Sequence, residues 1–365
     1  MREFAECART AGNRAKPGAR PALARCLQRA AGRPTATALL FPAATLNVVA
    51  SNLRFAVLGA GAVGSFFGGM LARGGAPVTL IARQAHAEAV RRSGLTIERA
   101  GAEERIEVGA TTDLHALASA NVVLFCVKTP DTEHVAKAAA SHLAADALVI
   151  SLQNGVDNAD RIAGTTGIVA VPGVVYVAAN LVAPGRVRHG GRGDLILGEL
   201  PERRLPQNGN RPALAAVARQ MQRCGVPCRI VEDIRAELWT KMVMNCAYNA
   251  LSAIGRVRYG PLIDDPAMRD VMLNVVDEAL AVAAASGVEL PRTAVIHAVF
   301  ELARAMPTAT SSTAQYLERG KRTEIDALNG FLVRRGEALR IPVPYNRTLY
   351  ALVKLLERRA SDGIS

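Results

Sequence analysis

One stretch, RFAVLGAGAVGSFFGGMLARGGAPVTLIARQ at residues 54–84, restricts the fold more than any other part of the chain. It predicts a strand over Phe55–Leu58, a glycine-rich turn, a helix ending near Ala72 and a second strand over Val78–Ile81. Two strands connected through a helix run parallel, and a parallel sheet is covered by helices on its faces. The chain is therefore expected to begin as an α/β protein.

The turn after the first strand has the spacing GxGxxG, formed by Gly59, Gly61 and Gly64. The first glycine permits a tight turn, the second lets a pyrophosphate approach the backbone, and the third lets helix and strand pack closely. The spacing alone is a weak signal, but between a strand and a helix it favours a dinucleotide site at the helix N-terminus. The predicted cofactor-binding turn comprises Gly59, Ala60, Gly61, Ala62, Val63 and Gly64.

Arg83 ends the second strand, 24 residues after Gly59. A site for NAD usually has Asp or Glu near this position to hold the ribose 2′-hydroxyl, whereas an arginine suits a 2′-phosphate. The alternative is an ordinary surface arginine. Its place at the carboxyl end of the strand favours the cofactor role, so NADPH is the predicted cofactor.

The alternation of strands and helices continues beyond this unit. Apolar runs predict strands over 121–129 and 147–155, with a helix over 131–143 between them. Lys128 and Asn154 fall at the carboxyl ends of these strands, where ligands bind in an open α/β sheet. A loop lysine and an Asn-Gly turn are the ordinary alternatives. Together with the glycine turn, the two residues indicate a site.

Later parts of the chain become wholly helical. The remaining elements that we predict are a hairpin over 168–199, a helix over 212–224, a strand over 226–233, and helices over 234–254, 266–286, 293–305, 322–339 and 345–358. The expected fold is a Rossmann-type dinucleotide-binding domain over 51–232 followed by an all-helical domain over 233–360.

Three polar residues interrupt the apolar helix LWTKMVMNCAYNAL at 238–251. Lys241, Asn245 and Asn249 follow one another at intervals of four, which places them on one face of an α-helix. Either this face points to water, as Lys and Asn usually do, or it lines a cleft and holds a substrate. The spacing by itself leaves both interpretations open.

Composition excludes several other classes of protein. Half of the 365 residues are hydrophobic and 21% are charged, and no run approaches the roughly 18 apolar residues of a membrane span. The net charge is +12, but no basic run with interleaved aromatics suggests nucleic acid. Six cysteines without zinc-like pairing indicate a reducing compartment and no metal site. We expect a cytoplasmic protein with a small anionic partner, and neither nucleic acid nor a membrane.

Residues 1–50 differ from the rest, since they are rich in Ala, Arg, Gly and Pro and contribute half of the net charge. Their composition favours a disordered extension or an over-long start assignment, with an organellar transit peptide as the alternative. The compact chain is expected to begin near residues 52–54.

The chain from residue 54 to about 358 resembles the ketopantoate reductase (2-dehydropantoate 2-reductase) family. The matching stretches are GAGAVG, IAR, CVKT, SLQNG, GRGDLILGE, ELWTKMVMNCAYNALSA and SSTAQYLERGKRTEIDALNG, in the family's order. The resemblance implies an NADPH-binding Rossmann domain, a helical domain, and reduction of ketopantoate, a 2-oxo acid, in the cleft between them during pantothenate synthesis. A homodimer is the candidate assembly.

The resemblance also assigns roles to residues. Lys241 matches the catalytic lysine, which would stabilise and protonate the alkoxide formed by hydride transfer. Glu324 matches the active-site glutamate, which would orient Lys241 or hydrogen-bond the substrate. Lys128 matches a lysine near cofactor and substrate. Residues matched to substrate binding are Asn154, Asn245, Asn249 and Ser312, and Asn154 and Glu324 are also expected at the cofactor.

Two positions depart from the family pattern. Tyr316 replaces an Asp of many members, and Tyr259 replaces a substrate-contacting Asn. Three hypotheses follow: a ketopantoate reductase, a paralogue that reduces another 2-oxo acid or a related carbonyl or imine, and a non-catalytic NADP(H) sensor. The retention of Lys241, Glu324 and Ser312 argues against the sensor.

Overall fold

The first strand, β1 (Phe55–Leu58), is buried along its whole length because all four side chains are apolar and strands flank it on both sides. The glycine turn leads into α1 (Ala62–Arg73) and β2 (Val78–Ile81), so the predicted parallel unit is confirmed. The computed structural model describes residues 53–203 and 210–361, and the extension predicted at 1–50 lies outside them. Within these ranges, no helix has both the length and the hydropathy to cross a membrane.

Parallel strands build the part of the sheet around β1. Their spatial order is β5 (Gly109–Thr111), β2, β1, β6 (Val122–Phe125), β7 (Leu148–Ser151) and β8 (Val171–Ala183). The chain passes from β1 to β2 on one side and later to β6 on the other side. The loops that follow β1 and β6 therefore lead away from each other. The position between these two strands is the switch point, where open α/β sheets bind ligands.

A long hairpin extends the sheet. β8 pairs with antiparallel β9 (Arg186–Gly198), as the sequence predicted, and the register shifts after Tyr176, after Ala178 and after Leu181. The edge of β9 then pairs with β3 (Leu95–Arg99) and with β10 (Cys228–Val231), and β4 (Ala102–Ile106) pairs with β3. Such bulges redirect side chains locally, here next to Tyr176.

Helices cover both faces of the sheet and create two cores. Alternation along β1 places Phe55 and Val57 in one core, and Ala56 and Leu58 in the other. The helices of this part are α1, α2 (Gln84–Ser93), α3 (Thr132–Ala140), α4 (Asn158–Thr166) and α5 (Asn210–Arg223).

The remainder of the described chain is helical and has a core of its own. Its central helix, α6 (Arg235–Gly255), buries Met242, Val243 and Tyr248 against its neighbours. Those neighbours are α7 (Tyr259–Asp264), α8 (Pro266–Ala285), α9 (Arg292–Ala305), α10 (Ser312–Glu318), α11 (Asn329–Leu339) and α12 (Pro344–Ser361). The fold class is thus the expected one, a parallel-rich sheet with helices followed by a helical part.

Some predicted elements have the wrong extent. The helix predicted over 322–339 begins only at Asn329, because the backbone and side chains of 322–324 bond to distant parts of the fold. The strands predicted over 121–129 and 147–155 end at Phe125 and Ser151. Their polar continuations leave the sheet and become the loops of the candidate site.

Candidate active site

Asn154 lies in the QNG turn that follows β7, and a buried polar network fixes this turn. Its carbonyl accepts hydrogen bonds from the Thr129 hydroxyl at 2.9 Å and from Asn158 Nδ2 at 2.6 Å. Gln153 Nε2 donates to the Thr132 hydroxyl at 2.6 Å. Since every partner is buried, the network holds the Asn154 backbone in one place and leaves its carboxamide to point into the cleft.

Lys241 of α6 is the start of a chain of hydrogen bonds across this cleft. Lys241 Nζ donates to Asn154 Oδ1 at 2.9 Å, and Asn154 Nδ2 donates to Glu324 Oε2 at 3.2 Å. Glu324 Oε1 accepts from the backbone N–H of Thr129 at 3.1 Å. Residues from α6, from the loops after β6 and β7, and from the segment before α11 therefore converge on one chain.

The protein environment brings the pKa of Lys241 closer to neutral pH. Burial lowers its pKa from the ordinary 10.5 to about 8, while the carboxylate of Glu324 acts in the opposite direction. The cation of Arg192 adds to the lowering. An ammonium whose pKa lies near the working pH can both stabilise a developing oxyanion and release its proton to it.

Lys128 closes the cleft at another point. Its ammonium donates to the carbonyl of Arg322 at 3.0 Å and lies 3.4 Å from the centre of the Tyr316 ring. Burial lowers the pKa of Lys128, the carboxylate of Glu324 acts in the opposite direction, and the charges of Lys321 and Arg83 add to the lowering. These cations form a positive region on the switch-point side of the sheet, suited to phosphate or carboxylate groups.

The glycine turn has the shape that a dinucleotide needs. Gly59 adopts a φ of +89°, and a Cβ there would lie 2.7 Å from the backbone nitrogen of Val127. A Cβ on Gly61 would meet nothing nearer than the Gly59 carbonyl at 4.0 Å, so this surface is open to a ligand. The first turn of α1 contains no acidic residue and its N–H groups have no intrahelical partner. Arg83 is exposed just after β2, so the turn and this cation fit a dinucleotide.

Asn245 and Asn249 extend the stripe from Lys241 along α6. Asn245 is half-buried and Asn249 is buried, and neither carboxamide hydrogen-bonds to another described residue. The hydroxyl of Ser311 donates to the Asn249 carbonyl at 3.0 Å and also caps α10. Ser312, the expected carboxylate ligand, is the exposed first residue of α10. Within the described residues, neither the Ser312 nor the Arg83 side chain contacts the hydrogen-bonded series of Lys241, Asn154 and Glu324.

The two departures from the family pattern have different surroundings. Tyr259 packs its ring 4.5 Å from that of Tyr248 inside the helical core, so it brings no carboxamide to the cleft. Tyr316 instead covers the Lys128 ammonium, where a carboxylate would have formed an ion pair.

Sequence reasoning missed two groups near Lys241. The ring centre of Tyr176 lies 5.9 Å from Lys241 Nζ, and the Arg192 guanidinium carbon lies 4.4 Å from that ring. Arg192 has a φ of +55° within the β9 bulge. The glycine-rich HGGRGD sequence at 189–194 was the available signal, since it is unusual inside a strand.

Two family models match the chain: Ketopantoate reductase PanE/ApbA over residues 55–202, and its C-terminal counterpart over residues 233–357. The 2-dehydropantoate 2-reductase of Archaeoglobus fulgidus is 35% identical over 304 residues, which cover 83% of this chain and 98% of that protein. The enzyme of the same name from Pyrococcus horikoshii is 32% identical over 84% of this chain and 98% of its own length. The chain belongs to the ketopantoate reductase family.

Solved structures agree with the family assignment. A PanE/ApbA family ketopantoate reductase from Ralstonia eutropha has a TM-score of 0.77 and 46% identity, and the match covers 85% of this chain and 100% of that one. D-mandelate dehydrogenase with NADH and anilino(oxo)acetate has a TM-score of 0.78 and 25% identity, over 85% of this chain and 99% of its own. This ketopantoate reductase family member is therefore a dinucleotide-dependent oxidoreductase that acts on a small molecule.

Proposed function

We propose that the protein reduces ketopantoate (2-dehydropantoate) to (R)-pantoate with NADPH, in the synthesis of pantothenate, with Lys241 as the general acid. The observation that carries this proposal is the hydrogen-bonded chain from Lys241 through Asn154 to Glu324. A binding module would need only the glycine turn and Arg83. The hydrogen bonds that connect Lys241, Asn154 and Glu324 therefore count against a non-catalytic sensor.

The reaction follows from the positions of these groups. The chemistry that NADPH would supply here is a hydride to C2 of the 2-oxo acid, which would leave negative charge on the former carbonyl oxygen. Lys241 Nζ would donate its proton to this oxygen, and its charge counts for more because burial removes the ammonium from water. Asn154 and Glu324 hold the ammonium in position, while Asn245, Asn249 and Ser312 bind the hydroxyl and carboxylate groups of the substrate.

We assign the cofactor to NADPH because a cation, and no carboxylate, follows β2. Arg83 is exposed there and can form a charge-assisted contact with a 2′-phosphate. Lys128 adds positive charge on the same edge of the sheet. Asn154 and Glu324 would face the nicotinamide end, and the turn from Gly59 to Gly64 would hold the pyrophosphate.

The second candidate is reduction of another 2-oxo acid. It is favoured by Tyr259, because the family pattern has a substrate-contacting Asn at this position. The tyrosine side chain instead packs into the helical core. The D-mandelate dehydrogenase match points in the same direction, because anilino(oxo)acetate is an aryl 2-oxo acid analogue.

Two further properties belong to this proposal. We place the protein in the cytoplasm, since the described cysteines Cys126, Cys224, Cys228 and Cys246 are free thiols.

We also infer a homodimer through α12, whose surface exposes Tyr345, Leu352 and Leu355. Light scattering of the purified protein tests the dimer directly.

The deciding experiment follows the oxidation of NADPH by its absorbance, with ketopantoate and with a panel of other 2-oxo acids. Turnover of ketopantoate to the R product with the highest kcat/KM supports the first candidate. Preference for another acid supports the second. Binding of NADPH without turnover of any acid would leave only the sensor.

A further inference from the structure

A groove of about 760 Å³ lies between α6, α9 and the part of the sheet formed by β8, β9 and β10. Ligand pockets for drug-sized molecules span roughly 300–1,000 Å³, so the groove is large enough for a sizeable group. Its lining is mainly apolar and includes Leu195, Ile196, Met244, Ala298 and Leu302.

Two residues connect the groove to the active site. Tyr176 and Arg192 line it: the Tyr176 ring centre lies 5.9 Å from Lys241 Nζ, and the charge of Arg192 lowers the pKa of Lys241. On α6, Glu237 and Thr240 line the groove, and Lys241 is only about 40° around the helix from Glu237. Lys241 therefore stands at the border between the cleft and the groove.

The charges around the groove are already paired. Arg192 forms an ion pair with Asp194, and Arg229 forms one with Glu237. Glu301 also lines the groove, and its carboxylate forms an ion pair with Arg304. Among the described residues of the lining, both arginines are already paired with carboxylates, so the groove favours a neutral apolar group.

We propose that this groove is the subsite for the substrate's side chain, and that the enzyme accepts 2-oxo acids with a bulky neutral apolar substituent such as an aryl group. The proposal rests on the proposed function, because it places C2 of the acid at Lys241. Tyr176 is then a specificity-determining residue. Its ring both lines the groove and lies 5.9 Å from Lys241 Nζ, and Arg192 stacks on that ring at 4.4 Å.

The test fills the groove from α9. Ala298→Trp puts an indole into the lining, and Ala294→Trp puts one on an exposed position one turn away that does not line the groove. NADPH oxidation is measured with ketopantoate, phenylpyruvate and 2-oxoglutarate. We expect Ala298→Trp to lower the kcat/KM for phenylpyruvate relative to ketopantoate by about tenfold or more, the usual scale for pocket fit. Ala294→Trp should leave the ratio unchanged, and wild type should prefer phenylpyruvate to 2-oxoglutarate.

The outcomes separate this inference from the proposed function. Turnover of ketopantoate without phenylpyruvate, or equal ratios in both tryptophan variants, would overturn the subsite and leave the reductase intact. If no acid were reduced, the proposed function would fail. Calorimetric titration of the NADP⁺-loaded protein with phenylpyruvate would then decide: binding in wild type that Ala298→Trp abolishes supports the subsite, and its absence overturns it.

Discussion

Replacing Lys241 with methionine removes a cation that the fold holds largely out of water. The fall in its pKa from 10.5 to about 8 means that the protonated lysine lowers the free energy of unfolding by about 3 kcal/mol. The replacement also leaves Asn154 Oδ1 without its donor, at a cost of about 1–2 kcal/mol. We therefore expect Lys241→Met to gain about 1–2 kcal/mol at pH 7, a rise in Tm of about 2–6 °C.

The sign of this effect depends on pH. The native pKa of Lys241 lies below the unfolded value, so between pH 8 and 10.5 the unfolded chain binds more protons and stability rises with pH. The penalty is complete below pH 8 and disappears as the pH approaches 10.5. The advantage of Lys241→Met should therefore shrink over this window.

Activity should change in the opposite direction. Loss of the general acid should lower kcat/KM by about 10²–10⁴ at pH 7 while NADPH binding is retained. The wild-type rate should fall above about pH 8 as Lys241 loses its proton, and Lys241→Met should lack this alkaline limb.

The assay combines urea unfolding at pH 7 and 10 with NADPH oxidation and cofactor titration on the same preparations. Lys354→Met is the matched control, because Lys354 pairs with Asp326 and Glu357 and its removal should destabilise the protein at pH 7. A Lys241→Met variant that is less stable than wild type at pH 7, or that keeps near wild-type turnover, would refute the reasoning.

Other substitutions test the remaining parts of the site. Arg83→Ala should raise the KM for NADPH and barely alter that for NADH; equal losses in steady-state kinetics would give Arg83 another role. Asn245→Ala and Asn249→Ala should raise the substrate KM, since each lost hydrogen bond costs about 1–3 kcal/mol, and a fall in kcat alone would contradict this. Gly59→Ala should weaken NADPH binding and lower the free energy of unfolding by about 1–3 kcal/mol, because the φ of +89° and the close approach of Val127 exclude a Cβ. Calorimetry that finds neither change would contradict the role of the turn.

The local sequence predicted secondary structure best where a short run of neighbouring residues determines the element. The strands Phe55–Leu58 and Val78–Ile81 are found within their predicted limits, since an apolar run between turn residues has little choice of conformation once a sheet forms. Charged segments were harder, and the strand Ala102–Ile106, with sequence AEERI, showed no periodicity to predict it. It forms because it pairs with Leu95–Arg99 at the edge of the sheet.

The sequence by itself determined the parallel unit, the glycine turn, and the helical face that carries Lys241, Asn245 and Asn249, because each depends on neighbouring residues and fixed backbone periods. Only the tertiary structure decided that this face lines a cleft. Lys241 and Asn154 are 87 residues apart, and Asn154 and Glu324 are 170 apart, so their hydrogen bonds exist only after the sheet and the helices have packed together. The same long-range bonds keep residues 322–324 out of the helix that their sequence predicts, because their polar groups are satisfied across the cleft.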